Sequence, residues 1–209
     1  MKYPRTFHLP FSKGITSDDK IIQNLDFLKN SEVVVTLKMD GENTTMREDK
    51  IYARSEDSMD DPSRHWVKNL YYSLNYKLNG RILCGENLYA EHSIHYKNLK
   101  SYFYLFGVWD SNYEWCFDWD VVESTAKELS LELVPILYRG KFDLDILREL
   151  SKIKSYEGNE VEGFVVRTIK GFPRSDFCLC VAKFVRENHV KTDSHWKYSK
   201  IIKNEIRRD

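Results

Sequence analysis

What most constrains this chain is a series of short runs dense in β-branched, aromatic and other apolar residues. They read EVVVTLK from Glu32, RILCGENLY from Arg81, SYFYLFGVWD from Ser101, LELVPILYRG from Leu131, VEGFVVRTI from Val161 and DFCLCVAKFVR from Asp176. Each is too short for a typical helix and rich in side chains that suit a pleated surface, so each is expected to form a strand. Pro135 should bend the fourth. The segment TTMREDKIYARS adds two strands joined by a polar turn around Glu48-Asp49-Lys50. Helical spacing is confined to a few stretches. RHWVKNLYYSLNYKLN sets Trp66, Leu70, Leu74 and Leu78 at four-residue steps and is closed by Asn79-Gly80, while DVVESTAKELS, opened by an aspartate, and DLDILRELSKIK follow later. Strands outnumber helices without strict alternation, which predicts an α+β fold with largely antiparallel sheets rather than a doubly wound one. A chain of 209 residues with 42% hydrophobic content can bury one sizeable core, so a single domain over residues 1–209 is expected.

The 32 basic and 32 acidic side chains cancel, so no global positive field marks a nucleic-acid binder, and any such partner must be held by a local patch. The start lacks a long apolar run, and no stretch approaches the length that crosses a bilayer; a soluble, intracellular, cytoplasmic monomer with no membrane partner is expected. Cys84, Cys116, Cys178 and Cys180 contain no C-x-x-C pair, which argues against a zinc knuckle or redox dithiol. Alternation in a strand would turn Cys178 and Cys180 to one face as small apolar groups.

The sharpest local feature is KMDGEN, Lys38 to Asn43, which places an amine at the end of a buried strand, before a tight turn at Asp40-Gly41. Alone it is weak: K-x-D-G arises by chance in roughly one chain of this size in twenty. A surface lysine before a β-turn is the plain alternative. Its company carries more weight. Arg54-Ser55 follows after one hairpin, then Glu86 in CGEN, Phe106 in YLFGVWD, Glu162 in EGFVVR and Lys183 in VAKFVR.

This ordered set resembles the covalent nucleotidyltransferase superfamily of ligases and capping enzymes. YPRTFHLPF near the start, LYAEHSIHY after Glu86 and ENHVKTDSHW near the end are more similar to its ATP-dependent RNA ligase branch. The resemblance implies a nucleotidyltransferase (ATP-grasp-like ligase) fold and a lysyl-adenylate on Lys38. It implies ATP as the nucleotide, with Lys183 on the α-phosphate, Arg54 near sugar and phosphate, Glu86 accepting from a ribose hydroxyl and Phe106 stacked on adenine. Leu37 and Val181, beside the two lysine positions, complete the expected nucleotide contacts. Asp40, with Glu42 and Asn43, lies where it could orient the lysine or assist strand joining.

Elementary chemistry agrees. With an ordinary pKa near 10.4, only about one lysine in a thousand is neutral at neutral pH, so something must lower the value for Lys38. A divalent cation or a second ammonium such as Lys183 would do so. Mg²⁺ or Mn²⁺ prefers oxygen ligands and retains waters, so Glu162, with Glu86 as a second candidate, need hold only part of its shell. Strand periodicity puts Val34, Thr36 and Lys38 on one face, with Val33, Val35 and Leu37 on the other. It also sets Lys183 beside Leu179, Val181 and Val185. A snorkelling surface residue is the plain alternative for that lysine.

One departure stands out: the family's final motif often carries two lysines separated by one residue, whereas Val181 and Val185 flank Lys183 here. Arg167 and Arg186 are the alternatives for the triphosphate tail. Asn43, Arg54, His95, Arg186, Lys191 and Lys197 are the expected nucleic-acid contacts. His92 and His95 beside Glu91 lack the further ligands of a zinc site. His8 is expected either to close over the adenylate or to sit in an exposed loop. The residues flanking Lys38 and Lys183 are too few for an OB-fold barrel. The tail HVKTDSHWKYSKIIKNEIRRD mixes cations with Trp196 and Tyr198, suited to phosphate contacts and stacking, or else to a basic amphipathic helix packed on the domain. The implied reaction seals a 3′-hydroxyl to a 5′-phosphate in RNA or an RNA-containing nicked duplex, with a DNA ligase, a GTP-using capping enzyme or a non-catalytic RNA-end binder as alternatives.

Overall fold

A computed structural model of the chain describes residues 2–54, 61–187 and 201–207. Two sheets share a core. The first runs, in spatial order, β1 (Phe7–His8), β14 (Val181–Val185), β12 (Gly163–Thr168), β2 (Glu32–Lys38) and β9 (Ile136–Lys141). Its pairs are antiparallel except β1 with β14. The second runs β13 (Phe172–Pro173), β7 (Trp115–Cys116), β6 (Phe103–Trp109), β5 (Ile82–Asn87), β3 (Glu42–Met46) and β4 (Ile51–Ala53), with β8 (Glu132–Leu133) parallel to β6. β10 (Ser155–Tyr156) and β11 (Asn159–Glu160) form a separate hairpin. The helices are α1 (Asp26–Lys29), α2 (His65–Leu74), α3 (Trp119–Leu129), α4 (Leu144–Leu150) and α5 (Phe177–Cys180). The expected α+β class with largely antiparallel sheets is therefore what the chain forms.

The valine run of β2 shows why. Val33 and Val35 pack with Leu28 of α1, Leu147 of α4 and Phe164, Val166 and Phe184 on the outer face of the first sheet, whereas Val34 enters the core between the sheets. The predicted alternation fails at one place. Leu37 joins the inter-sheet core rather than the outer cluster, just past the register shift against β9 at Val35/Thr36, and its amide donates to the Pro135 carbonyl. Pro135 does more than bend a strand: it lies between β8 and β9, so the chain leaves one sheet and enters the other there.

Other expectations need correction. The buried face of α2 is Val67, Tyr71 and Leu74, with Trp66 and Leu70 only half-buried; a short 3₁₀ turn over Asn75–Lys77 follows, and Asn79 (φ 50°) and Gly80 (φ 75°) close it. α3 begins before the aspartate expected to open it: Asp118 occupies the N-cap without a side-chain capping bond and accepts instead from the Gly171 amide, while Asp120 pairs with Arg139. Residues Phe177–Cys180 are helical, not extended. Phe177 and Cys180, three apart, are buried while Leu179 is 40% exposed, so the apolar run follows helical rather than strand spacing. Cys178 and Cys180 therefore do not share a face, and Lys183 shares its strand face with Val181 and Val185 but not with Leu179. Among the described residues no helix is long and apolar enough to cross a membrane.

Candidate active site

A cavity of about 960 Å³ opens between the sheets. Strand register builds its floor. Thr36 of β2 pairs with Val165 of β12, which pairs with Lys183 of β14, so the three form a row; two residues along, Lys38 lies opposite Gly163, itself opposite Val185. His8 of β1 lies beside Lys183. The second sheet supplies the facing wall: Glu86 on β5 lies opposite Asn43 on β3, Phe106 comes from β6 at the register shift between Cys84 and Gly85, and Arg54 follows β4. Two glycines permit this closeness. A Cβ on Gly163 would lie 1.9 Å from the Phe184 carbonyl oxygen, so only glycine lets β12 lie this near β14 beside Glu162. A Cβ on Gly41 would lie 2.5 Å from the Asn87 carbonyl oxygen, and the Gly41 amide donates to Glu86 Oε1 at 3.2 Å. The D-G pair of the motif thus seats the turn on β5.

Lys38 Nζ donates to Glu162 Oε2 at 2.6 Å, with the lysine side chain 27% exposed and the carboxylate 6%. Burial alone would depress the Lys38 pKa, but Glu162, Glu86 and Asp40 outweigh it and hold the ammonium above its ordinary value. Of the two causes expected to lower the Lys38 pKa, a divalent cation or a second ammonium, the second does not prevail over these carboxylates. The depression falls instead on Lys183, through burial and the charge of Lys38, opposed by Asp19. Glu86 is pushed up to about 8, first by burial and then by the carboxylates of Glu162 and Asp40, against the pull of Lys38. The Glu86 and Glu162 carboxyl groups thus share one cavity with the Lys38 and Lys183 amines.

Asp19 is a site residue that the sequence did not point to. Its carboxylate lies 3.3 Å from Lys183 Nζ and 3.2 Å from His8 Nε2, and the Thr16 amide and hydroxyl donate to it. The T-x-x-D pattern at Thr16, a local turn signal of the capping-box type, was the available clue. His8 is accordingly no exposed loop residue: it is 1% exposed, its Nδ1 is 2.7 Å from Ser12 Oγ, and it lines the cavity. Burial opposes the Asp19 charge, but the Thr16 bonds, Lys183 and His8 outweigh it and hold the group well below the usual carboxylate range. A native pKa below the unfolded value near 3.9 means stability that is present above that pH and lost as pH falls toward the native value. Asp19→Asn is therefore expected to destabilise by on the order of 1 to 2 kcal/mol near neutrality, with the gap from the parent shrinking on acidification. Urea unfolding at several pH values checks this; a gap that is constant or grows in acid contradicts it.

The remaining predicted residues divide plainly. Leu37, Lys38, Asn43, Arg54, Glu86, Phe106, Glu162, Val181 and Lys183 all line the cavity. Tyr3, unforeseen, also lines it and meets Phe106 edge-on at 5.3 Å. Asp40 does not line it; its Oδ2 accepts from the Ser93 and Ile94 amides at 2.8 and 2.9 Å, which makes it a brace for the turn. Glu42 is buried against Arg64 at 2.5 Å, away from the cavity. Arg167 lines the cavity but is consumed structurally: its guanidinium donates to the Phe117 and Thr168 carbonyls and lies over the rings of Trp119 and Phe172, at 5.5 and 5.3 Å. Arg186 pairs with Glu160, and His95 is held between Glu91 and Glu205; neither lines the cavity. Lys191, Lys197, Trp196 and Tyr198 lie outside the described residues, and residues 201–207 form an extended strap rather than a helix.

A family model described as RNA ligase matches residues 31–185. No curated protein matches the chain. Solved structures of Naegleria gruberi RNA ligase share the fold. A mutant with ATP and Mn superposes with a TM-score of 0.58 at 17% identity, covering 91% of this chain and 59% of that one. A mutant with AMP and Mn gives 0.56 at 16%, covering 90% and 61%, and the form with PPi gives 0.54 at 17%, covering 88% and 60%. The chain thus spans about three-fifths of the length of these structures.

Proposed function

Since the chain belongs to the RNA ligase family, we propose that it is an ATP-dependent RNA ligase that seals 3′-hydroxyl to 5′-phosphate ends through a covalent adenylate on Lys38. The observation that carries this reading is the convergence of Lys38, Glu162, Glu86, Lys183, Phe106 and Arg54, drawn from both sheets, on one cavity. Lys38 Nζ attacks the α-phosphorus of ATP, forming a P–N bond as pyrophosphate departs. The AMP passes to a 5′-phosphate, and a 3′-hydroxyl then displaces it to join the strands. Lys183 neutralises α-phosphate charge, Arg54 meets the sugar and phosphate region, Glu86 accepts from a ribose hydroxyl, and Phe106 offers a face to adenine.

The site fits a divalent cation. Burial and the neighbouring Glu162 charge raise the cost of ionising Glu86, a strain that a bound Mg²⁺ or Mn²⁺ ion would relieve. Among the described residues no three carboxylate, imidazole or thiolate side chains converge as a metal cluster, so these two would share the ion with phosphate oxygens and water. A bound ion would supply positive charge that offsets the pull of the carboxylates on Lys38 and favours its neutral form. Within the chain, Glu162 aims the Lys38 amine.

The test presents duplexes carrying one nick, with RNA or DNA on the 3′-hydroxyl side, to the protein with ATP or GTP. Sealing of the RNA-ended nick with ATP is the expected result. Covalent labelling by GTP alone, or sealing only of all-DNA nicks, overturns the assignment in favour of a capping enzyme or DNA ligase.

A further inference from the structure

Residues 201–207 lie across the loop that follows β5. Asn204, 1% exposed, is fastened there on every side. Its Oδ1 accepts from the Tyr96 amide at 2.8 Å, and its Nδ2 donates to the Leu88 and Ala90 carbonyls at 2.9 and 3.2 Å. Its own amide donates to the Tyr89 carbonyl at 3.0 Å, and its carbonyl accepts from the Tyr102 hydroxyl at 3.1 Å. Lys203 lies over the rings of Tyr89 and Tyr102, and the Leu99 amide donates to the Glu205 carbonyl.

The loop so fixed holds the turn after Lys38. The Asp40 amide donates to the Tyr96 hydroxyl at 2.8 Å, and the Asp40 carboxylate accepts from the Ser93 and Ile94 amides. Asp40 lies between the end of β2 and the start of β3, where no ladder partner fixes it. We propose that Asn204 is a positioning residue for the nucleophile turn, acting through Tyr96 and Asp40 from a strap that does not line the cavity. Tyr96 is the joint: its backbone amide is held by Asn204 and its hydroxyl holds Asp40. A buried amide side chain with its oxygen and both N–H groups engaged is held in one geometry, and in-line attack tolerates little misplacement.

The strap's influence on rate rests on the lysyl-adenylate reading; its influence on the turn does not. The experiment therefore compares Asn204→Ala, Tyr96→Phe and the double variant with the parent by two readouts. One is hydrogen exchange at the Asp40 amide; the other is single-turnover transfer of AMP from ATP onto the protein, with ATP affinity measured separately. In each single variant Asp40 exchange is expected to accelerate about tenfold or more while β12 and β14 amides keep their protection. Transfer is expected to slow by on the order of a hundredfold at unchanged ATP affinity, with the double variant no slower than Asn204→Ala. A lowered melting temperature with parental Asp40 exchange would overturn the proposal, as would losses in the two single variants that simply multiply. If the parent itself takes up no AMP, the functional reading fails while Asp40 exchange still decides this one.

Discussion

Lys38→Ala is expected to abolish covalent uptake of AMP from ATP, a loss on the order of 10⁴-fold or more, because the nucleophile has no substitute. Lys183, another amine in the cavity, lies one strand beyond Gly163 and two residues along, and is tied to Asp19, so it is not aimed where Lys38 is aimed. Lys38→Arg should fail as completely: a guanidinium keeps the charge beside Glu162 but stays protonated and cannot attack phosphorus. The pair separates a charge role from a nucleophilic one, since arginine would rescue the first and not the second. Both variants should stay folded, because arginine keeps the charge and, in Lys38→Ala, the raised Glu86 carboxyl is held neutral rather than left as an unpaired anion. Single-turnover labelling with α-labelled ATP, with circular dichroism as the folding control, makes the measurement.

Glu162→Ala carries the second largest effect, a fall of roughly 10² to 10³ in the rate of adenylate formation. Its carboxylate is the group in contact with the Lys38 amine, and its own backbone carbonyl accepts from the Arg186 amide at 3.0 Å, so the side chain is presented by a fixed strand end. Loss of the carboxylate removes the aim of Lys38 and one of the two side chains expected to hold the cation together. Glu162→Gln preserves shape and a hydrogen-bond acceptor but not charge. It should be nearly as impaired as alanine, and a titration with Mn²⁺ should show weakened metal dependence in both. Near-parental rates in Glu162→Gln would mean that the residue acts by shape alone.

The predicted residues that reach the cavity sit on or beside regular strands. Register does the rest: once β2, β12 and β14 pair, Lys38, Gly163, Thr36, Val165 and Lys183 have no choice of neighbour. Glu86 and Phe106 were equally readable on β5 and β6. The failures have physical causes. The run DFCLC is apolar enough for either period, and only packing of Phe177 and Cys180 decides for a helix. Pro135 announced a bend, but no local pattern says that the strand beyond it joins another sheet. Asp40 sits in the motif and looks catalytic, yet its carboxylate oxygen goes to two loop amides more than fifty residues away in sequence. Asp19 and Asn204 act through long-range hydrogen bonds that carry no periodic signature, and the Lys38 pKa depends on three carboxylates gathered only by folding.

The proposed reaction turns on one bond, between Lys38 Nζ and the α-phosphorus of ATP. Incubation of the parent protein with ATP and Mg²⁺, followed by proteolysis and mass mapping, tests it directly. The expected result is AMP attached to the peptide that carries Lys38 and to no other. AMP found on Lys183 or any other lysine, or ATP bound tightly with no adduct formed, would contradict it.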